Sequence, residues 1–168
     1  TATKHLLEIG HRRIGFVNNV DPIPATFGRL EGYKQALAEF DLPYDEDLLR
    51  TGLSDAEGGY NCALELMQSS DPPTALFCFN DYMAMGAYDA LRKLTLTIPG
   101  DVAVIGFDNQ KLIAANLHPG LTTMELPHYE MGQWAVNTLL DQIENPDGHH
   151  EIPVQHKIRC PLFERSST

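Results

Sequence analysis

The stretch Asp101-Val102-Ala103-Val104-Ile105-Gly106-Phe107-Asp108-Asn109 decides how this chain folds. Val102, Ala103, Val104, Ile105 and Phe107 make a nearly continuous apolar run, set between Pro99-Gly100 and the closing Asp108-Asn109. A run without polar alternation has no wet face. It reads as a strand covered on both sides, the habit of central strands in parallel sheets. Its last residues are an acid and an amide, and open α/β sheets meet polar ligands outside the carboxyl ends of their strands.

Working outward, the same grammar recurs. Upstream, Ala75-Leu76-Phe77-Cys78-Phe79 follows Pro72-Pro73 and ends in Asn80-Asp81. Ile14-Gly15-Phe16-Val17 ends in Asn18-Asn19, and a weaker strand at Leu48-Leu49 closes at Gly52 before Ser54-Asp55. Helical spacing lies between them: Ala2, His5, Leu6 and Ile9 with Gly10 at a C-cap, then Leu30, Tyr33, Leu37 and Phe40. Tyr60, Ala63, Leu64 and Met67 follow a cap at Ser54 or Asp55, and Met83, Ala84, Ala87 and Leu91 repeat the pattern. This alternation predicts an α/β fold, an open parallel sheet flanked by helices with right-handed crossovers. Downstream come a short extended run, Leu121–Met124, and an amphipathic helix after Pro127 carrying Met131, Trp134, Leu139 and Ile143. Pro153 to Cys160 alternates apolar and polar residues, which predicts an edge strand.

The 168 residues suffice for one ordinary domain, and 43% hydrophobic with 21% charged residues is ordinary for a globular one. A net charge of −11 repels phosphate backbones, so this stretch alone is not expected to bind nucleic acid. Cys62, Cys78 and Cys160 form no CxxC pair, which fits free thiols in a reducing, cytoplasmic setting better than a disulfide framework. No apolar run approaches the roughly 18 residues of a membrane helix. The chain opens inside a helical pattern, so further sequence is expected to precede it.

Candidate chemistry gathers at the strand ends. Asn18-Asn19, Ser54-Asp55, Asn80-Asp81 and Asp108-Asn109 would share one edge of a parallel sheet, a rim of hydroxyl, amide and carboxylate groups suited to a polyhydroxyl or heteroaromatic ligand. Helix capping and turn formation predict the same residues at the same places. Arg29, near a helix start where a cation opposes the macrodipole, suggests a specific task such as a clamp on a carboxylate or vicinal hydroxyls; a solvated surface arginine is the alternative. His149, His150, His156 and Cys160 cluster in sequence without zinc spacing, so neither a metal nor a cofactor is expected. The small residues of Met83–Ala87 suit packing on the sheet, with a dimer seam as the functional alternative. Nucleophile elbows, phosphate loops and a nucleophile–base pair are missing from the sequence, which argues against an enzyme.

Taken together, these residues resemble the effector-binding core of the LacI/GalR-type transcriptional repressors. The ordered motifs are residues 5–16 (HLLEIGHRRIGF), 28–33 (GRLEGY), 80–86 (NDYMAMG), 101–109, 119–123 (PGLTT) and 161–166 (PLFERS). In that family two α/β subdomains of periplasmic-binding-protein-like type close on a small effector. The resemblance implies that residues 1–124 and 153–168 form the C-terminal subdomain and that residues 125–152 are a helical excursion belonging to the N-terminal one. A DNA-binding headpiece would lie outside this chain, so that operator DNA is met only through it, and the protein would be a cytoplasmic homodimer without membrane contact.

By position, Arg29 and Asp108 match the family's effector-clamping arginine and aspartate, and Asn80 matches a polar effector contact. Ser54 stands where many members place a stacking aromatic, and Ala25 where some carry a hydroxyl. These departures favour a sugar or sugar derivative over a purine as the small-molecule effector. A periplasmic sugar-binding protein serving a transporter shares the architecture and is the competing expectation.

Overall fold

The computed structural model describes residues 1–145 and 155–168. Among these, six strands make one sheet: β1 (Ile14–Asn19), β2 (Leu49–Gly52), β3 (Ala75–Cys78), β4 (Ala103–Asp108), β5 (Thr122–Glu125) and β6 (Leu162–Phe163). Their order is β2-β1-β3-β4-β5-β6, parallel except for the antiparallel β6. The 101–109 stretch is therefore an interior strand. Val104 and Ile105 on it are fully buried, on opposite faces, as the unbroken apolar run requires.

Helices cover both faces. α1 (Ala2–Glu8) and α2 (Pro24–Glu39) pack Leu6, Leu7, Tyr33 and Leu37 against Phe16, Phe77 and Ile105 of the sheet. Phe16 and Phe77, register partners on β1 and β3, stack with centroids 4.7 Å apart, and the Tyr33 hydroxyl donates to the Ile14 carbonyl at 2.8 Å. Each such fully buried aromatic or leucine contributes about 1.5–3 kcal/mol of transfer free energy. On the other face, α3 (Ala56–Met67) and α4 (Asp81–Lys93) bring Leu66, Met83 and Leu91 onto Leu76, Cys78 and Val104.

α3 and α4 approach each other closely because glycine lines the contact. A Cβ on Gly86 would strike the Ala56 carbonyl, and one on Gly59 the Met83 carbonyl. Met83, Ala84, Ala87 and Ala90 are all fully buried, so the packing alternative holds for this face. The dimer seam offered as the alternative does not fit these four side chains, which are enclosed between α3 and the sheet.

The chain leaves β1 towards β2 on one side and returns to β3 on the other. The crevice between the carboxyl ends of β1 and β3 is thus a topological switch point, where α/β folds meet their ligands. Towards the far edge, α5 (Lys111–Ala114) is a single turn, and α6 (His128–Glu144) has no buried residue, with Leu139, Leu140 and Ile143 exposed. The expected edge strand at 153–160 is corrected as well. Residues 153 and 154 lie outside the described residues, residues 155–160 form no strand, and pairing with β5 begins at Leu162, opposite Met124. Before that point the segment lies beside α6, with His156 stacked on Trp134. Pairing geometry, not alternation, sets this edge. No helix among the described residues is long and apolar enough to cross a membrane.

Candidate functional site

α2 begins at Pro24, whose missing N–H costs nothing at a helix start. Arg29 consequently sits in the second turn, beyond the reach of the opposing macrodipole. The unfavourable placement from which the sequence argued a specific task is not present, and the task rests on its contacts instead. Its guanidinium is not solvated; the side chain is only 13% exposed. It lies between two aromatic faces, 4.1 Å from the Phe79 centroid and 3.9 Å from that of Phe107. Its Nη1 donates to the Phe79 carbonyl at 2.6 Å, and its Nη2 stands 3.7 Å from Oδ1 of Asp108.

Two desolvated cation–π contacts are worth about 2 kcal/mol each. They fix the plane of the guanidinium and point its edge along the rim. Burial pulls the guanidinium below its ordinary value, offset first by Asp108, and burial pushes the Asp108 carboxyl up, opposed by Arg29 and then His128. Desolvation exceeds the mutual attraction on both sides of the pair, as expected for charges 3.7 Å apart with little water between them.

Asp108 and Asn109 carry left-handed backbone angles, φ 109° and 52°. Side chains other than glycine adopt this region at a cost of order 1–3 kcal/mol each, which surrounding structure must sustain. Arg165 helps: it donates to the Asn109 side-chain oxygen at 2.8 Å and to the Leu121 carbonyl at 2.7 Å.

Asn80 does what capping chemistry predicts. Its Oδ1 accepts from the Met83 N–H at 2.8 Å and its Nδ2 donates to the Ser54 carbonyl at 3.0 Å. Ser54 enters this contact through its backbone alone. Asp55, not Ser54, caps α3 by accepting from Gly58 at 2.8 Å, and Asn18 is occupied with the Thr26 carbonyl and the Asn19 N–H. The structure therefore brings the expected residues into one chain of contacts, Asp108 to Arg29, Arg29 to the Phe79 carbonyl, and the neighbouring Asn80 to Ser54.

A cavity of about 530 Å³ opens on the α1–α2 side of Arg29, lined by Gly28, Phe77, Phe107, Cys160 and Leu162; Asp108, Asn80 and Ser54 do not line it. Among the described residues no three potential ligands are grouped to hold a metal. His149 and His150 lie outside the described residues.

Sequence reasoning missed Phe79 and Phe107 as the walls around Arg29, although each directly precedes the polar pair at its strand end. That repeated aromatic–polar–polar pattern was the available signal. It placed Asp81 on the polar rim without its role and missed Arg165; the partners of both are distant in sequence and leave no local trace.

The periplasmic binding protein-like domain family matches the chain over residues 3–168. The HTH-type transcriptional repressor CytR of Escherichia coli (strain K12) is 36% identical over 167 residues, covering 99% of this chain and 48% of that protein. Among solved structures, the transcriptional regulator CelR–cellobiose complex superposes with a TM-score of 0.91 at 31% identity, covering 99% of this chain and 50% of that one. A LacI family transcriptional regulator from Enterococcus faecium with bound ribose gives 0.84 at 33% identity, covering 99% and 60%. The chain spans about half the length of the curated relatives it matches.

Proposed function

Since the chain belongs to the periplasmic binding protein-like domain family, we propose that it is the effector-sensing core of a LacI-type transcriptional regulator. It would supply one wall of a two-walled cleft. Residues 1–124 and 153–168 form that wall, and the segment 125–152 belongs to the facing subdomain. The absence of any buried residue on α6, in a helix with exposed Leu139, Leu140 and Ile143, supports this division. Effector binding would shift closure of the two walls and so the spacing of two DNA-binding headpieces in a cytoplasmic homodimer.

The observation that carries this reading is the Arg29 guanidinium held between Phe79 and Phe107 with its edge turned to Asp108. A fixed donor array beside a carboxylate acceptor binds vicinal hydroxyls, one oxygen accepting from arginine and the other donating to aspartate. Asn80 has a second amide hydrogen left for the same ligand, and Ser54 offers a small polar wall in place of a stacking ring. The effector is accordingly a sugar or sugar derivative. A purine finds no ring to stack on at Ser54.

Calorimetric titration of the full-length protein against pentoses, hexoses, disaccharides and nucleosides tests this. A sugar is expected to bind, and Arg29→Ala and Asp108→Ala are each expected to weaken it by at least about 30-fold, the loss of a buried charge-assisted contact. Unchanged affinity in both variants would sink the clamp.

A further inference from the structure

Behind the clamp lies a second carboxylate. Asp81 is the first residue of α4 and is fully buried. It does not cap its own helix, since Asn80 already does so. Instead its Oδ1 accepts from the Thr123 hydroxyl of β5 at 2.6 Å, and its Oδ2 accepts from the backbone N–H of Gln110 at 2.7 Å. Gly106 of β4 makes room for it: a Cβ there would strike the Asp81 carboxylate. Gln110 directly follows the left-handed pair Asp108-Asn109. The carboxylate therefore fastens the far end of the strained turn whose near end presents Asp108 to Arg29.

We propose that Asp81 is the positioning residue of the Arg29–Asp108 pair, holding the Asp108–Asn109 turn through Gln110 while it is ionised and loosening it on protonation. The proposal rests on the reading of that pair as the effector clamp.

The surroundings place this switch near neutrality. Burial dominates and pushes the Asp81 carboxyl up to about 6, against the bonds from Thr123 and Gln110; Asp108 raises it further and Arg165 lowers it. Arg29 on α2, Cys78 on β3 and Tyr88 on α4 complete the titratable groups that feel its charge. Ionised, Asp81 accepts from both donors. Protonated, one oxygen carries a hydrogen. The Thr123 hydroxyl can rotate to accept it, but the Gln110 amide can only donate. Holding is thus firm above pH 6 and weakened below it.

The test is a ligand-free NMR titration of the 168-residue chain between pH 4.5 and 8. It follows the Asp81 carboxyl carbon, the Gln110 amide shift and its hydrogen exchange, and the Asp108 backbone coupling constant. The Gln110 and Asp108 signals are expected to show a step at the Asp81 midpoint. Asp81→Asn is expected to remove that step and to speed Gln110 exchange at least about tenfold at pH 7. Thr123→Val, which deletes one bond to the ionised form, should shift the step to higher pH. Flat Gln110 and Asp108 signals through the Asp81 transition, or a step at the Asp81 midpoint that persists in Asp81→Asn, would overturn the proposal. If Asp81→Asn does not fold, the wild-type and Thr123→Val titrations decide it alone. No effector enters any arm, so this outcome is independent of whether the clamp binds a sugar.

Discussion

β3 and β4 end on nearly the same word. The first reads Phe79-Asn80-Asp81, the second Phe107-Asp108-Asn109: an aromatic followed by an amide and an acid, in opposite order. At the end of β3 the helix begins at once, with α4 starting at Asp81, so Asn80 must cap it and the acid turns back into the fold. At the end of β4 the next helix starts only at Lys111, and it takes no side-chain cap. Asp108 is thereby released from capping, enters a left-handed turn and faces Arg29. The distance to the next helix start, more than residue type, decides which strand-end polar group is left for chemistry.

Exchanging these duties by mutation should give effects of graded size. Arg29→Ala gives the largest. It leaves Asp108 buried without its cation and opens the space between two rings, so unfolding in urea should show a loss of about 3 kcal/mol. Asn80→Ala removes a cap and strands the Ser54 carbonyl, with an expected loss of about 1–2 kcal/mol and a smaller effect on affinity for the proposed sugar effector than Asp108 variants are expected to have.

Asp108→Asn should invert that profile, with a stability change near neutral pH within about 1 kcal/mol but lost affinity for the proposed sugar effector. Its pH dependence has a definite sign. The folded-state pKa of Asp108 is raised by burial, so its contribution to stability is fully present below the unfolded carboxylate value and is lost as pH rises through the folded one. The stability of the wild type relative to Asp108→Asn should therefore grow as pH falls from neutral towards about 4. Denaturant midpoints at several pH values measure it, and a difference that shrinks on acidification would contradict the placement of Asp108 in a desolvated site. Ser54→Ala gives the smallest effect, within about 0.5 kcal/mol, because its carbonyl makes the contact with Asn80.

Much of the fold was legible in the sequence because it is written in short-range pattern. The unbroken run at Val102–Phe107 encodes an interior strand, and period-3.6 spacing in α3 and α4 encodes helices with one buried face. The edge at β6 was not legible. A two-residue antiparallel strand depends on register with β5, which alternation at 153–160 does not report. The Met83 face was ambiguous for a similar reason: small residues permit close contact with any neighbour, and only the fold names α3. For the site, Arg29 and Asp108 stood out by position and resemblance. Their supports, Phe79, Phe107, Asp81 and Arg165, act through contacts between distant segments. Asp81 in particular reads as an ordinary acid in the first turn of a helix, which is what local electrostatics favours anyway.

The central claim is that Asp108, freed from capping, forms one physical unit with Arg29. A double-mutant cycle tests it most directly, comparing urea unfolding of the wild type, Arg29→Ala, Asp108→Asn and the double variant at pH 7. A coupling of at least about 1 kcal/mol is expected, with the double variant more stable than the two single losses sum to. Additivity within about 0.3 kcal/mol would show that the two side chains act independently and would contradict it.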